Sequence, residues 1–120
     1  MTYDVAAVAI RRALVQFPGL TWRGLPIGRR HIAFTVSDWG EVLTAMAYLE
    51  SLQRSNLPKQ IVQSSYVWKH RAQRFGEVRG MANYVSNGAL IVAALYLGLR
   101  VVPVELGRSP NAWITVPRSR

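Results

Sequence analysis

The segment from Ser86 to Gly98 restricts the fold of this chain more than any other part of the sequence. It begins with a serine that can cap a helix and finishes with a glycine, a residue that often follows the end of a helix. The residues between them, 87–97, are almost entirely apolar. A helix that is apolar around its whole circumference has no side that it can turn to water. We therefore expect this helix either to be buried in the core or to form the interface of a homodimer.

The apolar character of this region does not predict a membrane span. The apolar run from Ala89 to Val104 is shorter than the ~20 residues that a transmembrane helix requires, and it contains Arg100 and Pro103. Near the N-terminus Arg11 and Arg12 follow the apolar stretch, whereas a secretory signal carries its positive charge before it. The chain also contains no cysteine, as suits a reducing compartment. These features favour a cytoplasmic protein.

The rest of the pattern predicts one α+β domain over residues 1–120, because a chain of this length builds a single core. Apolar residues recur at helical spacing up to Pro18, and Asp38 and Glu41 have the spacing of a capping box at the start of a second helix. We expect four to five helices with a small three-stranded antiparallel sheet. The predicted helices cover residues 3–17, 38–54, 61–75 and 87–97, a connector covers 76–83, and the strands cover 31–36, 99–104 and 112–116, the last two as a hairpin.

The third predicted helix carries the clearest functional signal. Its apolar and small residues step by three and four positions and define an inward stripe, consisting of Ile61, Ser65, Trp68, Ala72 and Phe75. At 100° per residue the opposite face presents Tyr66, His70, Gln73 and Arg74, with Lys69 and Arg71 on its flanks. An ordinary solvated helix face is the alternative interpretation. An exposed tyrosine among cations, however, is a group that can stack on bases or contact phosphates.

The charge of the chain indicates the class of partner. Fifteen Lys and Arg against six Asp and Glu give a net charge of +9, and thirteen of the fifteen are arginine, whose fork of donors fits phosphates and guanine edges. We expect a non-catalytic nucleic-acid-binding protein, with DNA favoured over RNA. A protein inhibitor or adaptor that docks on an acidic partner surface is the alternative. The candidate binding residues are Tyr66, Lys69, His70, Arg71, Gln73, Arg74, Arg29, Arg30 and Arg108.

The order of the elements over residues 60–116 resembles that of winged helix-turn-helix proteins. Residues 84–100 look like the segment that runs from the recognition helix to the wing in that family. The resemblance implies that the helix from Ser86 to Gly98 enters the major groove and that Arg108 lies at the wing tip. In that helix, however, only Asn87 has a side chain suited to base edges, so we expect the face from Tyr66 to Arg74 to make the contacts. The segments at residues 69–70 and 84–88 also resemble small proteins of phages and mobile elements.

Enzymatic signals are few. The chain contains neither a phosphate-binding P-loop nor a Gly-x-Gly-x-x-Gly motif, and its two histidines have no carboxylate at metal-ligand spacing, so we expect no cofactor and no metal. Ser65 and Lys69 lie one helical turn apart, but their spacing differs from the Ser-x-x-Lys motif of nucleophilic enzymes. The enzymatic alternative is metal-free cleavage of RNA, with catalytic groups drawn from Lys69, His70, Arg74 and Tyr84.

Overall fold

Four helices and a three-stranded antiparallel sheet make up the part of the chain that the computed structural model describes, which is residues 3–27, 34, 38–82 and 84–119. The predicted α+β class is confirmed. The predicted strand at 31–36 and the candidate residues Arg29 and Arg30 lie outside the described residues. The elements, in chain order, are α1 (Tyr3–Gln16), α2 (Trp39–Arg54), β1 (Ile61–Ser64), α3 (Ser65–Val78), α4 (Asn87–Tyr96), β2 (Arg100–Pro103) and β3 (Ala112–Val116).

Helix α4 lies at the centre of the fold, as its composition predicts. Residues 87–94 are all buried, and the helix packs against α1, α2, α3 and β2. The Ser86 hydroxyl accepts a hydrogen bond from the Ala89 amide at 3.1 Å, and Gly98 has the positive φ of +74° that suits a glycine after a helix. Burial within one chain thus accounts for the apolar faces. The part of this segment that a second copy of the chain could contact is its half-buried end, residues 95–97.

The sheet has the strand order β1-β3-β2, with both pairs antiparallel. The hairpin of β2 and β3 confirms the prediction, but the helical assignment of residues 61–64 is wrong because they form β1. Ile61 and Val62 are β-branched and suit a strand, and β1 pairs with β3 so that Ser64 lies opposite Trp113. The Ser64 hydroxyl accepts a hydrogen bond from the Val67 amide at 3.3 Å, which caps a helix that begins at the next residue.

Two further local predictions are wrong for reasons that involve distant parts of the chain. Helix α3 continues through Gly76, where we expected a connector. Glycine is needed there for close packing and does not mark the end of the helix, because a Cβ would collide with the Ala82 carbonyl oxygen and lie 2.8 Å from the Thr44 methyl group. The capping box also does not form. Asp38 has helical φ and ψ angles of −79° and −15° and makes no capping hydrogen bond, and the Glu41 carboxylate accepts from the Ser86 amide at 2.7 Å. Glu41 therefore links α2 to the start of α4.

Trp68 joins α3 to the sheet. Its side chain is 0% exposed, and its indole N–H donates a hydrogen bond of 3.0 Å to the Ile114 carbonyl oxygen in β3. The predicted inward stripe of α3 is confirmed for Ser65, Trp68 and Ala72, which are buried, and for the half-buried Phe75. The opposite face of α3 is consequently held at the molecular surface.

Among the described helices, none has both the length and the apolar composition needed to cross a membrane.

Candidate functional site

The outer face of α3 presents most of the candidate residues to solvent. Tyr66 is 53% exposed, and His70, Arg71 and Arg74 are exposed as well. Tyr66 and His70 lie one turn apart and contact each other edge to face, with 4.6 Å between ring centroids. This spacing follows from the helical period, which brings residues four positions apart onto one side. The sequence therefore predicts this part of the surface correctly.

Two candidate residues of α3 are less accessible than the helical wheel predicts. Lys69 is buried, with 9% of its surface exposed, so its expected place on an exposed flank is wrong. Gln73 is half-buried, and its side-chain oxygen accepts hydrogen bonds from the Lys69 ammonium at 3.4 Å and from the Val85 amide at 3.3 Å. Gln73 thus joins α3 to the segment before α4. Both differences arise because residues 84–85 cover this edge of the helix.

An open groove runs along the exposed side of α3, with a volume of about 620 Å³. We call it the α3 groove; it is lined by Tyr48, Tyr66, Val67, His70, Arg71, Arg74, Phe75, Val78 and Arg79. Tyr48 comes from α2, and the other lining residues come from α3 and from the residue that follows it. Four of them are cations or can become cations, and three are aromatic. The groove therefore combines positive charge with flat apolar surface.

Two arginines of the groove lie against aromatic rings. The Arg79 guanidinium carbon is 3.8 Å from the centroid of Phe75, and that of Arg71 is 5.2 Å from the centroid of Trp68. A guanidinium on a ring face is stabilised by the ring quadrupole while its N–H groups remain directed outward in its own plane. Arg79 also donates a hydrogen bond of 3.4 Å to the Phe75 carbonyl oxygen. These contacts fix the positions of two positive charges along the groove.

Tyr48 forms the wall of the groove on the α2 side. Its ring centroid lies 5.4 Å from that of Phe75 and 6.4 Å from that of Trp68. Burial raises the pKa of the Tyr48 phenol, and the neighbouring Arg71 partly offsets this effect. The phenol therefore stays neutral at physiological pH and adds no negative charge to the groove.

The positive charges of the α3 groove lack acidic partners within the described residues. The ion pairs formed there within 4 Å are Arg54 with Glu50 at 3.3 Å and Arg108 with Glu105 at 3.6 Å, and neither involves a groove residue. Arg108 is exposed in the β2–β3 hairpin and does not line the groove. The structure thus brings together Tyr66, His70, Arg71 and Arg74, and it places Arg108 apart from them.

A second cavity, of about 390 Å³, adjoins the groove at Tyr66. We call it the Tyr66–Tyr84 pocket; it is lined by Trp22, Arg23, Tyr66, Lys69, Tyr84, Asn87, Pro110 and Asn111. The Lys69 ammonium lies 5.4 Å from the centroid of Tyr66 and 5.3 Å from that of Tyr84. Burial lowers the pKa of Lys69, and the charge of Glu41 partly opposes this change. A partly dehydrated cation therefore lies beside two aromatic rings.

Asn87 has a structural role at the base of this pocket. Its amide nitrogen donates to the carbonyl oxygens of Arg23 and Pro110 and contacts the side-chain oxygen of Asn111, each at 3.0 Å. Since Asn87 is buried and α4 is surrounded by other elements, this helix cannot enter a major groove as the winged-helix resemblance implies. Asn87 instead ties the loop after α1 to the β2–β3 hairpin.

The residues of the enzymatic alternatives are divided between two adjoining cavities. His70 and Arg74 line the α3 groove, whereas Lys69 and Tyr84 line the Tyr66–Tyr84 pocket. The buried Ser65 hydroxyl accepts a hydrogen bond from the Ala112 amide at 3.0 Å, so it is engaged in holding α3 to β3. Within the described part of the chain, no three His, Asp or Glu side chains come together as a metal site would require.

Sequence reasoning did not select several residues of these two cavities: Trp22, Arg23, Tyr48, Arg79 and Asn111. The adjacent Trp22 and Arg23 gave a usable signal, because an aromatic next to a cation in a loop often lies at a binding surface. Arg79 was missed because Gly76 suggested that the helix ended earlier.

Comparisons of the chain with protein-family profiles, curated proteins and solved structures find no match.

Proposed function

We propose that this protein binds nucleic acid, without cleaving it, through the α3 groove. One observation carries the proposal: Arg71, Arg74 and Arg79 share one open groove with His70, and none of the four has a carboxylate within 4 Å among the described residues. Positive charges that are not neutralised internally attract an external polyanion. The net charge of +9 adds a long-range attraction of the same sign.

The geometry of the arginines suits phosphate contacts. Arg71 and Arg79 are stacked on Trp68 and Phe75, so less side-chain entropy is lost when their N–H groups bind an oxygen. Contacts of this kind position a nucleic-acid backbone and carry no sequence information. We therefore propose binding that depends weakly on sequence, with DNA as the first candidate and RNA as the second. The role of α3 replaces the one that the winged-helix resemblance implies for α4.

Fluorescence anisotropy with labelled DNA and RNA across a salt series tests this proposal. Each phosphate contact on duplex DNA contributes about −0.9 to the slope of log K against log salt concentration. The triple replacement of Arg71, Arg74 and Arg79 by alanine should reduce the slope by about that amount for each contact removed. The matched control replaces the exposed Arg11, Arg54 and Arg118, which changes the net charge equally outside the groove. Equal effects of the two triple variants would show that the groove is not the binding surface.

The same samples distinguish binding from cleavage. If His70 and its neighbours acted as a metal-free ribonuclease, labelled RNA would be shortened in the presence of a chelator. We expect the RNA to remain intact at protein concentrations that saturate binding. Cleavage that is abolished by His70→Ala would overturn the non-catalytic part of the proposal.

The outer face of the sheet favours a second candidate function, which is docking to an acidic protein. Val62, Val102 and Trp113 are exposed there beside Arg100, around a shallow depression of about 360 Å³. Exposed aromatic and apolar side chains bordered by arginine are typical of protein interfaces. A failure to bind DNA and RNA at low salt would favour this candidate. Light scattering will show whether a homodimer forms. The part of the α4 segment that remains partly exposed for such contacts is residues 95–97.

A further inference from the structure

The Tyr66–Tyr84 pocket has the composition of a site for a flat, polar ring. Three aromatic side chains, Trp22, Tyr66 and Tyr84, line it together with Lys69 and Asn87. They come from the loop after α1, from α3, from the segment that leads into α4 and from the first residue of α4. Its volume of about 390 Å³ falls within the range of about 300–1,000 Å³ that small-ligand sites occupy.

The loops around the pocket are firmly attached to the core. The Gly88 amide donates to the Trp22 carbonyl oxygen at 2.8 Å, and the Leu25 amide donates to the Pro110 carbonyl oxygen at 2.9 Å. A Cβ at Gly88 would collide with the carbonyl oxygen of Thr21, so glycine permits this close approach of loop and helix. The pocket is thus built in advance of binding, which reduces the entropy that a ligand must overcome.

Two polar groups in the pocket lack a complete set of partners. The Lys69 ammonium is beside two ring faces and near the Gln73 oxygen, and it forms no ion pair within 4 Å in the described part of the chain. Asn87 is 8% exposed, and its side-chain oxygen has no hydrogen-bond partner, while its nitrogen is fully engaged. The pocket therefore offers a charged donor to a ligand, while the Asn87 oxygen is shielded from solvent.

We propose that the Tyr66–Tyr84 pocket binds one unpaired nucleobase of a single strand whose backbone follows the α3 groove. A base has two flat faces for stacking on tyrosine or tryptophan, and its edge presents both acceptors and N–H donors. Tyr66 lines both cavities, so one strand can reach both. In a duplex the faces are stacked and the pairing edge is occupied. The pocket consequently selects single strands over duplexes.

This inference rests on the proposed nucleic-acid binding and adds the form of nucleic acid that is recognised. Tyr84 lines the pocket but not the α3 groove. The substitution Tyr84→Leu removes its ring, and because the side chain is exposed we expect the variant to fold. Loss of one stacked base typically weakens binding about tenfold, so we expect that change in Kd for a short labelled single strand. Because no phosphate contact is lost, the salt slope should stay the same.

Three comparisons make the test specific. Tyr84→Phe keeps the ring and should bind within about twofold of wild type, while Trp113→Leu, on the outer sheet face, should have no effect. A strand of the same length without bases should bind equally to wild type and Tyr84→Leu. If Tyr84→Leu binds the intact strand as wild type does, the base pocket is refuted while the α3 groove proposal stands. If neither protein binds any strand at low salt, both proposals fail.

Discussion

Replacing Trp68 with alanine is the most direct test of the way α3 is oriented. The side chain is 0% exposed, so the substitution removes a fully buried indole, and such changes typically cost about 3–5 kcal/mol. The indole N–H also donates to the Ile114 carbonyl oxygen at 3.0 Å. Trp68→Phe keeps one aromatic ring but loses that donor and part of the buried ring volume, so we expect a smaller loss than for Trp68→Ala. The order of the two losses tests whether the whole side chain is buried.

Urea denaturation followed by circular dichroism measures both losses. For a domain of this size about 1 kcal/mol corresponds to roughly 4 °C in Tm, so Trp68→Ala should melt at least 10 °C below wild type. Arg74→Ala is the matched control from the opposite face of the same helix, and its free energy of unfolding should stay within about 0.5 kcal/mol of wild type. A loss below about 1 kcal/mol for Trp68→Ala would mean that α3 turns this face to solvent, and the α3 groove would then be wrongly located.

Two further predictions concern contacts that the sequence does not reveal. Gly88→Ala should cost about 1–3 kcal/mol because the new Cβ would collide with Thr21. Gly40→Ala is the control in helix α2, where a Cβ meets open space, and it should gain roughly 0.5–1 kcal/mol. Equal effects of the two substitutions in urea denaturation would contradict the close contact between Gly88 and Thr21. Burial raises the pKa of the Glu41 carboxyl above its ordinary value, so the folded chain holds this proton more tightly than the unfolded chain does, and stability falls as pH rises from the unfolded-state pKa to the folded-state pKa. Because Glu41→Gln cannot titrate, its free energy of unfolding should rise relative to that of wild type as pH rises from acid to neutral; a relative fall would contradict the raised pKa of Glu41.

The parts of the fold that the sequence predicts well depend on local signals. Ser86 and Gly98 mark the ends of α4 because capping and positive φ are properties of single residues and their immediate neighbours. The boundaries of α3 depend instead on distant residues. Ile61 and Val62 become a strand because β3 is available to pair with them. Gly76 is a position of close contact with Ala82 and α2, and the sequence alone does not distinguish such a glycine from one that ends a helix.

The same distinction between local and distant signals applies to the candidate site. The α3 groove could be predicted because its residues recur with the helical period along one element. The Tyr66–Tyr84 pocket could not, because Trp22, Lys69, Tyr84 and Asn111 come from separate segments that only the tertiary fold brings together. For Lys69 the helical wheel gives the direction of the side chain and carries no information about the Tyr84 ring that covers it. Periodicity thus identifies a face, and it cannot identify a cavity.

Lys69, which lines this pocket, interacts electrostatically with Glu41, and burial is unfavourable for the charged form of both. Burial lowers the pKa of Lys69 and raises that of Glu41, which means that the fold opposes the charged form of each. The oxygen of Asn87 is buried without a partner nearby. Stability alone would favour apolar residues at such positions, and natural proteins depart from that preference mainly where a site is needed. The unfavourable burial of Lys69 beside two aromatic rings therefore supports the proposed ligand at the Tyr66–Tyr84 pocket independently of the exposed arginines, which support only the attraction of a polyanion to the surface.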